Sequence, residues 1–410
     1  MTAGAEPGAP AVPEMTFDAA LAVLAEHAVP LGQEMIALAK AGRRMLAAPV
    51  YAAIDAPRAD TAAMDGFALR ASDVEAGRTH FRIVGASFPA APFGHSIGMG
   101  EAVRITTGAP MPEGSTCVVM SEHATEAQDI LTLAGPLSQN RNVRRRASDF
   151  ASGEPILSAG RILDPRALLA AGAADAGRVT VWKRPRVSVL ATGDELVAPG
   201  TAADADSPYA IPDSLSEAVL LLCHQWAAKP VEHRRAPDSV ETIAREAASL
   251  LADCDVLVLV GGASRGRRDF ARAALEPLGL DVQFAKLAIK PGKPVWYGRV
   301  GERHVIGLPG NPTAAMTVAR LLLVPLLTGL AGRGTDAGLA WTDQPLATAA
   351  PPGTGRERFL CGATDGGAVR ILERQSAGSQ ALLARADRLV RLAGSGPALP
   401  VGTLVPTLRF

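Results

Sequence analysis

Between residues 255 and 315, three glycine- and proline-broken loops gather cationic, hydroxyl and carboxylate side chains, each after an apolar run. The run DVLVLV, Asp255 to Val260, empties into GGASRGRRD, Gly261 to Asp269. KLAIKPGKP, Lys286 to Pro294, leads into PVWYG, and HVIGLP, His304 to Pro309, passes through GNP into TAAMTVARLLLV, Thr313 to Val324. Ser264, Arg265, Arg267, Lys286, Lys290 and Lys293 are groups that neutralise phosphate or another oxyanion, and Asp269 can hold a cation. Loop glycines let backbone N–H groups approach such a ligand, and helix N-termini favour anions. The plainer reading is that the glycines and prolines only shape turns and the lysines only solvate them. Three such loops on one inferred sheet edge weigh against it.

Strands and helices must place those loops. A continuous β-branched and leucine run such as DVLVLV reads as a strand buried on both faces of a parallel sheet. In open α/β sheets ligands gather outside the carboxyl ends of the strands, where these loops fall. RVSVLATGDEL, Arg186 to Leu196, opens this region with a strand and a sharp Gly-Asp turn. Two helices with capping-box patterns follow, Ser214 to Glu217 and Asp238 to Glu241. Alternation through Val324 predicts parallel strands joined by right-handed crossovers.

Upstream, the first fourteen or so residues are rich in Ala, Pro and Gly and read as a mobile tail. Thr16 is expected to cap an amphipathic helix carrying Phe17, Ala20, Leu21, Leu24 and Ala28 at helical spacing, with a second helical piece from Ala39 to Leu46. Residues 55–70, DAPRADTAAMDGFALR, form an irregular loop with three carboxylates. Short strands between turns from Phe81 to Leu137 predict a small β domain. NVRRRASDF sets three arginines beside Asp149, and DPRALLAAGAADAG reads as a helix capped by Asp164 with Pro165 in its first turn. From about Ala331, short runs such as AVRIL and DRLVRL suggest a small β barrel.

A chain of 410 residues is long enough for two or more domains, and its formal net charge of zero asks for neither nucleic acid nor a membrane surface. Cys117, Cys223, Cys254 and Cys361 form no C-x-x-C pair, which predicts reduced, buried thiols and a cytoplasmic protein. The N-terminus has no basic flank or apolar core, and LLLVPLL is too short to span a bilayer.

The combination of GG-x-S-x-G-x-x-D, KLAIKPGKP and GLPGNP resembles the molybdopterin molybdenumtransferases, which insert molybdate into molybdopterin and include the C-terminal domain of gephyrin. The similarity runs over nearly the whole chain. It implies an α/β plus β multidomain fold. Residues 15–50 and 151–184 would form a discontinuous helical domain, 51–150 an inserted β domain, 185–330 a parallel-sheet molybdopterin-binding α/β domain, and 331–410 a C-terminal β barrel. TAAMDG is similar to the family's D-N-S-A-M-D-G-Y-A and maps its functional aspartate to Asp65, although Arg58, Thr61 and Ala62 depart from the pattern. RITTGAPMPEG maps a cofactor-facing threonine to Thr107, with Glu122 ending the next strand, and ATGDEL maps a glutamate of the metal and molybdate region to Glu195.

The resemblance thus assigns catalysis to Asp65, Asp149, Glu195, Asp269, Lys286 and Lys290. Substrate binding falls to Thr107, Arg144, Ser264, Lys293, Pro309 and Pro312, with Asp65 and Glu195 holding Mg²⁺. The implied substrates are molybdate and adenylylated molybdopterin, whose phosphoanhydride is hydrolysed with release of AMP. A homodimer is implied, joining the half with Asp65, Thr107 and Asp149 to the half with Glu195, Asp269 and the lysines, with molybdopterin adenylyltransferase and molybdoenzyme maturation factors as further partners. Three positions depart in the α/β domain: Pro212 and Leu215 stand for tyrosine and asparagine, and Arg235 aligns with an aspartate unless the alignment slips and brings in Asp238. Gln380 stands where the family often has histidine. Two other classes stay open, a binding or scaffold paralogue and a related phosphoanhydride enzyme such as the adenylyltransferase. The latter lacks the N-terminal domains found here.

Overall fold

The run Val256–Val260, buried at every position, is an inner strand of a six-stranded sheet. In the computed structural model, which describes residues 14–135, 141–261 and 270–410, the sheet comprises β1 (Arg186–Thr192), β2 (Lys229–Ala236), β3 (Val256–Val260), β4 (Leu280–Ala285), β5 (Trp296–Val300) and β6 (Arg303–Leu308). Their order is β2-β1-β3-β6-β5-β4. Successive side chains point to opposite faces. Val187, Val189, Val256, Val258 and Val260 accordingly join one core, and Leu190, Leu257 and Leu259 the other. Helix Ser216–Gln225 supplies Val219 and Cys223 to the first face, and helix Val240–Asp253 supplies Ile243, Ala247 and Leu250 to the second.

β2, β1, β3 and β6 pair in parallel, as the alternation predicts. β5 and β4 do not: β6 pairs antiparallel with β5, and β5 with β4. The reason is connection length. Only Gly301 and Glu302 separate β5 from β6, and a parallel pair needs a crossover of a dozen or more residues. Both expected capping boxes are also offset. Asp213, rather than Ser214, accepts from Ser216 N (3.1 Å) and Ser216 Oγ (2.7 Å), and Ser239, rather than Asp238, accepts from Thr242 N.

The chain divides into two compact units, Met1–Glu34 with Trp182–Phe410, and Met35–Val181. Thr16 Oγ1 accepts from Ala19 N at 3.3 Å and starts helix Phe17–His27. Phe17, Ala20 and Leu24 of that helix are buried in the first unit's core with Leu330, which corrects the expected packing of this helix with residues 151–184. The second unit instead sets helix Pro165–Ala173 against Ala41, Leu46 and Val50. The helical piece expected at Ala39 to Leu46 reduces to one 3-10 turn, Leu38–Lys40, because Arg43 adopts φ 64° and Met45 and Leu46 bridge to Ile162 and Val181. Asp164 caps its helix, accepting from Ala167 N at 2.8 Å. Gly66–Leu69 and five further strands between His80 and Leu133 form a second six-stranded sheet with its own core of Phe67, Leu69, Phe81 and Leu131.

The apolar segment around LLLVPLL lies in a longer helix than expected. Pro312–Leu330 is 19 residues long and apolar enough to cross a membrane by length and composition, but 94% of its apolar window is buried. Its apolarity therefore serves the core. A π turn, Ala319–Leu323, precedes Pro325, where the ring removes a donor and displaces the preceding turn.

The C-terminal region is a half-barrel sheet, where a small β barrel was expected. Ile289–Lys290, Glu357–Asp365, Arg388–Leu392, Leu404–Arg409 and Thr342–Pro345 lie in that order, with Ala368–Ile371 paired to the second. Just past the last strand the chain meets Ala368–Ile371 at the bridge Leu346↔Val369, where Ala347 N donates to Val369 O at 2.8 Å. All four cysteines are free and buried. Burial raises Cys117 to about 12 and Cys254 to about 11, so these thiols stay protonated.

Candidate functional site

The carboxyl ends of β1, β2, β3 and β6 open on a cleft of about 1110 Å³. Each strand end contributes to it: Thr192 ends β1 and Gly193 and Glu195 follow it, Asp238 follows β2, Gly261 follows β3, and Pro309 to Pro312 follow β6. The antiparallel strands reach the same edge. Ala285 at the end of β4 pairs with Trp296 at the start of β5, and Trp296 with Gly307 near the end of β6. Lys286 and Lys293, which flank the intervening loop, therefore line the cleft too.

Close backbone approach shapes this edge. Gly261 has φ +93°, and a Cβ there would stand 2.5 Å from Thr192 O. The Glu195 carboxylate folds back over Gly193, where a Cβ would meet Oε2 at 2.8 Å. A side chain at Gly261 would push the backbone of the cleft wall apart, whereas one at Gly193 would displace the Glu195 carboxylate.

The cleft has an acidic and a basic side. Glu195, Asp213 and Asp238 supply carboxylates, and Arg272, Lys286, Lys293 and Arg356 supply cations. Asp213 is buried and spent on capping its helix. Glu195 and Lys286 are exposed and have no side-chain partner among the described residues. Lys293 pairs with Glu14, and Arg356 Nε donates to Glu14 Oε2 at 3.1 Å. The hydrogen bond from Lys293, followed by the charge of Arg356, holds the Glu14 carboxyl below its usual range. Lys290 is the exception: it is exposed, lies on the short strand beside Arg358, and does not line the cleft.

Arg235, aligned with a family aspartate, is exposed on β2 and does not line the cleft, whereas Asp238 does. A carboxylate is thus present at that strand end, three residues later. Leu215, which stands for an asparagine, is buried in the cleft wall, and Gln380 also lines it. Arg272, Arg356 and Asn311 line the cleft without having been singled out from sequence. The sequence signal for Arg356 is the stretch GRERF, Gly355 to Phe359. Ser264 and Asp269 lie outside the described residues.

In the second unit, Thr107 N and Oγ1 donate to Asp65 Oδ1 at 2.6 and 2.8 Å, holding that carboxyl below its usual range. Asp65 Oδ2 accepts no bond among the described residues. The expected arginine clamp is largely self-neutralised. Arg146 Nε reaches Asp55 at 2.5 Å and Arg145 Nη1 reaches Asp60 at 2.6 Å. Among the described residues Arg144 forms no ion pair, and both it and Asp149 are exposed. No group of three or more His, Cys, Asp or Glu suited to a metal occurs among the described residues.

Comparison with known proteins matches two stretches of the chain, and the first of them crosses the boundary between the two units at residues 34 and 35. Residues 15–174 match the MoeA N-terminal region (domain I and II), and residues 188–329 match a probable molybdopterin binding domain. A molybdopterin molybdenumtransferase from Haemophilus influenzae is 33% identical over 321 residues, covering 78% of each chain. One from Synechococcus elongatus is 33% identical over 330 residues, covering 76% of this chain and 80% of its own. The crystal structure of a molybdopterin biosynthesis MoeA protein from Pyrococcus horikoshii superposes with a TM-score of 0.82 at 26% identity, covering 97% of this chain and 99% of the other. With a relative one third identical over more than three quarters of both chains, and a cleft built where the shared motifs fall, the chain belongs to the molybdopterin molybdenumtransferase family.

Proposed function

We propose that this protein is a molybdopterin molybdenumtransferase that hydrolyses adenylylated molybdopterin as molybdate is inserted, releasing AMP. The observation that carries the reading is the two-sided cleft at the carboxyl edge of the sheet, with Glu195 and Asp238 lining the same space as Lys286, Lys293 and Arg356. Water attacks the phosphorus of the phosphoanhydride, the bridging bond breaks, and charge grows on the departing AMP oxygens. Fixed cations stabilise that charge best where little solvent must reorganise. Lys286 and Arg356 are suited to it, the guanidinium by its fork of donors and the ammonium as a point charge. The same groups hold molybdate as a tetrahedral oxyanion. Glu195 orients the attacking water and accepts its proton. The loop Pro309 to Pro312 shapes the molybdate side, with Thr107, Arg144 and Ser264 as further substrate contacts.

The donor set fits Mg²⁺, which takes oxygen ligands, keeps several waters and needs only one or two carboxylates beside substrate phosphates. Glu195 and Asp238 would hold it in the cleft, with Asp65 and Asp269 as further ligands and Asp149 directed to water. When bound it would offset phosphate charge. Homodimer assembly, cytoplasmic localisation and delivery from a molybdopterin adenylyltransferase belong to the same proposal. Light scattering at working concentration tests the dimer.

The test of function is AMP release from adenylylated molybdopterin with Mg²⁺, with and without molybdate. The proposal requires molybdate-dependent release together with molybdenum-loaded product. Tight binding of the nucleotide with no release would identify a binding paralogue instead.

A further inference from the structure

The residues just before the first helix do more than lead into it. Met15 N donates to Lys286 O at 3.1 Å, Ala288 N donates to Met15 O at 2.8 Å, and Met15 bridges Leu287 in parallel. The segment is thereby laid along the loop that carries Lys286 and Lys293, and Phe17, only 1% exposed, anchors it from the other side. Glu14 is left with its carboxylate on both Lys293 and Arg356, two cations that line the cleft. One is an ammonium and the other a guanidinium, drawn from distant parts of the chain.

A carboxylate in that position offers its oxygens to the donors a tetrahedral oxyanion would use. We infer that Glu14 is a built-in competitor for the oxyanion subsite formed by Lys293 and Arg356, which an incoming anion must displace. The inference rests on the oxyanion reading of the cleft given above. Glu14 is suited to the role on two counts. Its carboxyl is held below the usual range, so it is charged throughout the neutral pH region. Its ion pairs are also partly open to solvent, with Arg356 39% and Glu14 29% exposed, and such pairs are weak enough to exchange for a better ligand. Displacement needs only a rotation of the Glu14 side chain and a loosening of the Met15 bridge. The opposite role, in which Glu14 positions Lys293 and Arg356 for the ligand, predicts the opposite sign on its removal.

The experiment is calorimetric titration of sodium molybdate into the full chain and into Glu14→Gln, which keeps the shape and removes the charge. The expected result is roughly two- to fivefold tighter binding by the variant, the scale of one exposed ion pair. In the native protein, amide exchange at Met15 and Ala288 is expected to quicken on saturation with molybdate, a readout that does not depend on any variant folding. Equal or weaker binding by Glu14→Gln, or unchanged exchange at both amides, overturns the inference alone. No binding by either protein overturns the oxyanion reading and the inference with it.

Discussion

The acidic loop of residues 55–65 and the cleft at the sheet edge use the same residue types to different ends. In the loop, Asp55 and Asp60 are held by Arg146 and Arg145 and by the backbone N–H groups of Ser152 and Arg146. In the cleft, Glu195 and Lys286 face open space with no side-chain partner among the described residues. A charge with its hydrogen bonds already made stabilises a turn. One held in a concave site without a partner is available to a ligand. Charge alone would not have separated the two, because both stretches read as chemistry in one dimension.

The largest effect that sharpens this contrast is expected at Glu195. Glu195→Gln should lower the rate of AMP release by about a hundredfold or more, the range of a lost general base, with an unchanged melting temperature. Full activity would mean that the free carboxylate is no more functional than the paired ones. Next, Lys286→Ala should weaken molybdate binding about tenfold, the scale of one charge-assisted hydrogen bond, with the fold intact by circular dichroism. Unaltered affinity would move the oxyanion subsite away from Lys286.

For Asp60→Asn the expectation reverses: thermal stability falls while molybdate affinity stays the same. Its pH dependence follows from the direction of the shift. The backbone hydrogen bond from Arg146, followed by the bond from Arg145, lowers the folded-state pKa of Asp60. Its contribution is then present above the unfolded value of about 3.9 and lost as pH falls through the lower folded value. Melts of variant and native protein should differ at pH 7, and the gap should begin to shrink below about pH 4 and close below the lowered folded value. A constant gap across that window would rule out the ionised pair as the cause. The smallest effect is expected at the helix cap, where Thr16→Ala should cost about 1 kcal/mol, measured by denaturant unfolding, with turnover unchanged.

Much of this architecture was legible because it rests on local rules. Thr16 and Asp164 cap where their side chains predict, and DVLVLV is buried at all five positions of its strand. Distances between elements were not legible. The two-residue turn at Gly301 and Glu302 makes β5 antiparallel, yet the same reversal carries Lys293 to the edge where the parallel strands end. Lys286, Lys293 and Pro309 to Pro312 thus share the expected edge although β5 runs opposite to the expected direction, and residues 262–269 of the first loop lie outside the described residues. Asp238 lines the cleft and Arg235 does not, and only the register of β2 against β1 shows which residue emerges there. Glu14 was beyond reach of any motif. Its partners lie hundreds of residues away, and the stretch before it reads as a featureless tail.

The most direct test of the central claim is a single turnover with adenylylated molybdopterin, molybdate and Mg²⁺, following AMP and protein-bound molybdenum together. The account predicts AMP and inserted molybdenum in equal amounts in the native protein and neither in Glu195→Gln. AMP formed without molybdenum insertion, or equal yields from both proteins, would contradict it.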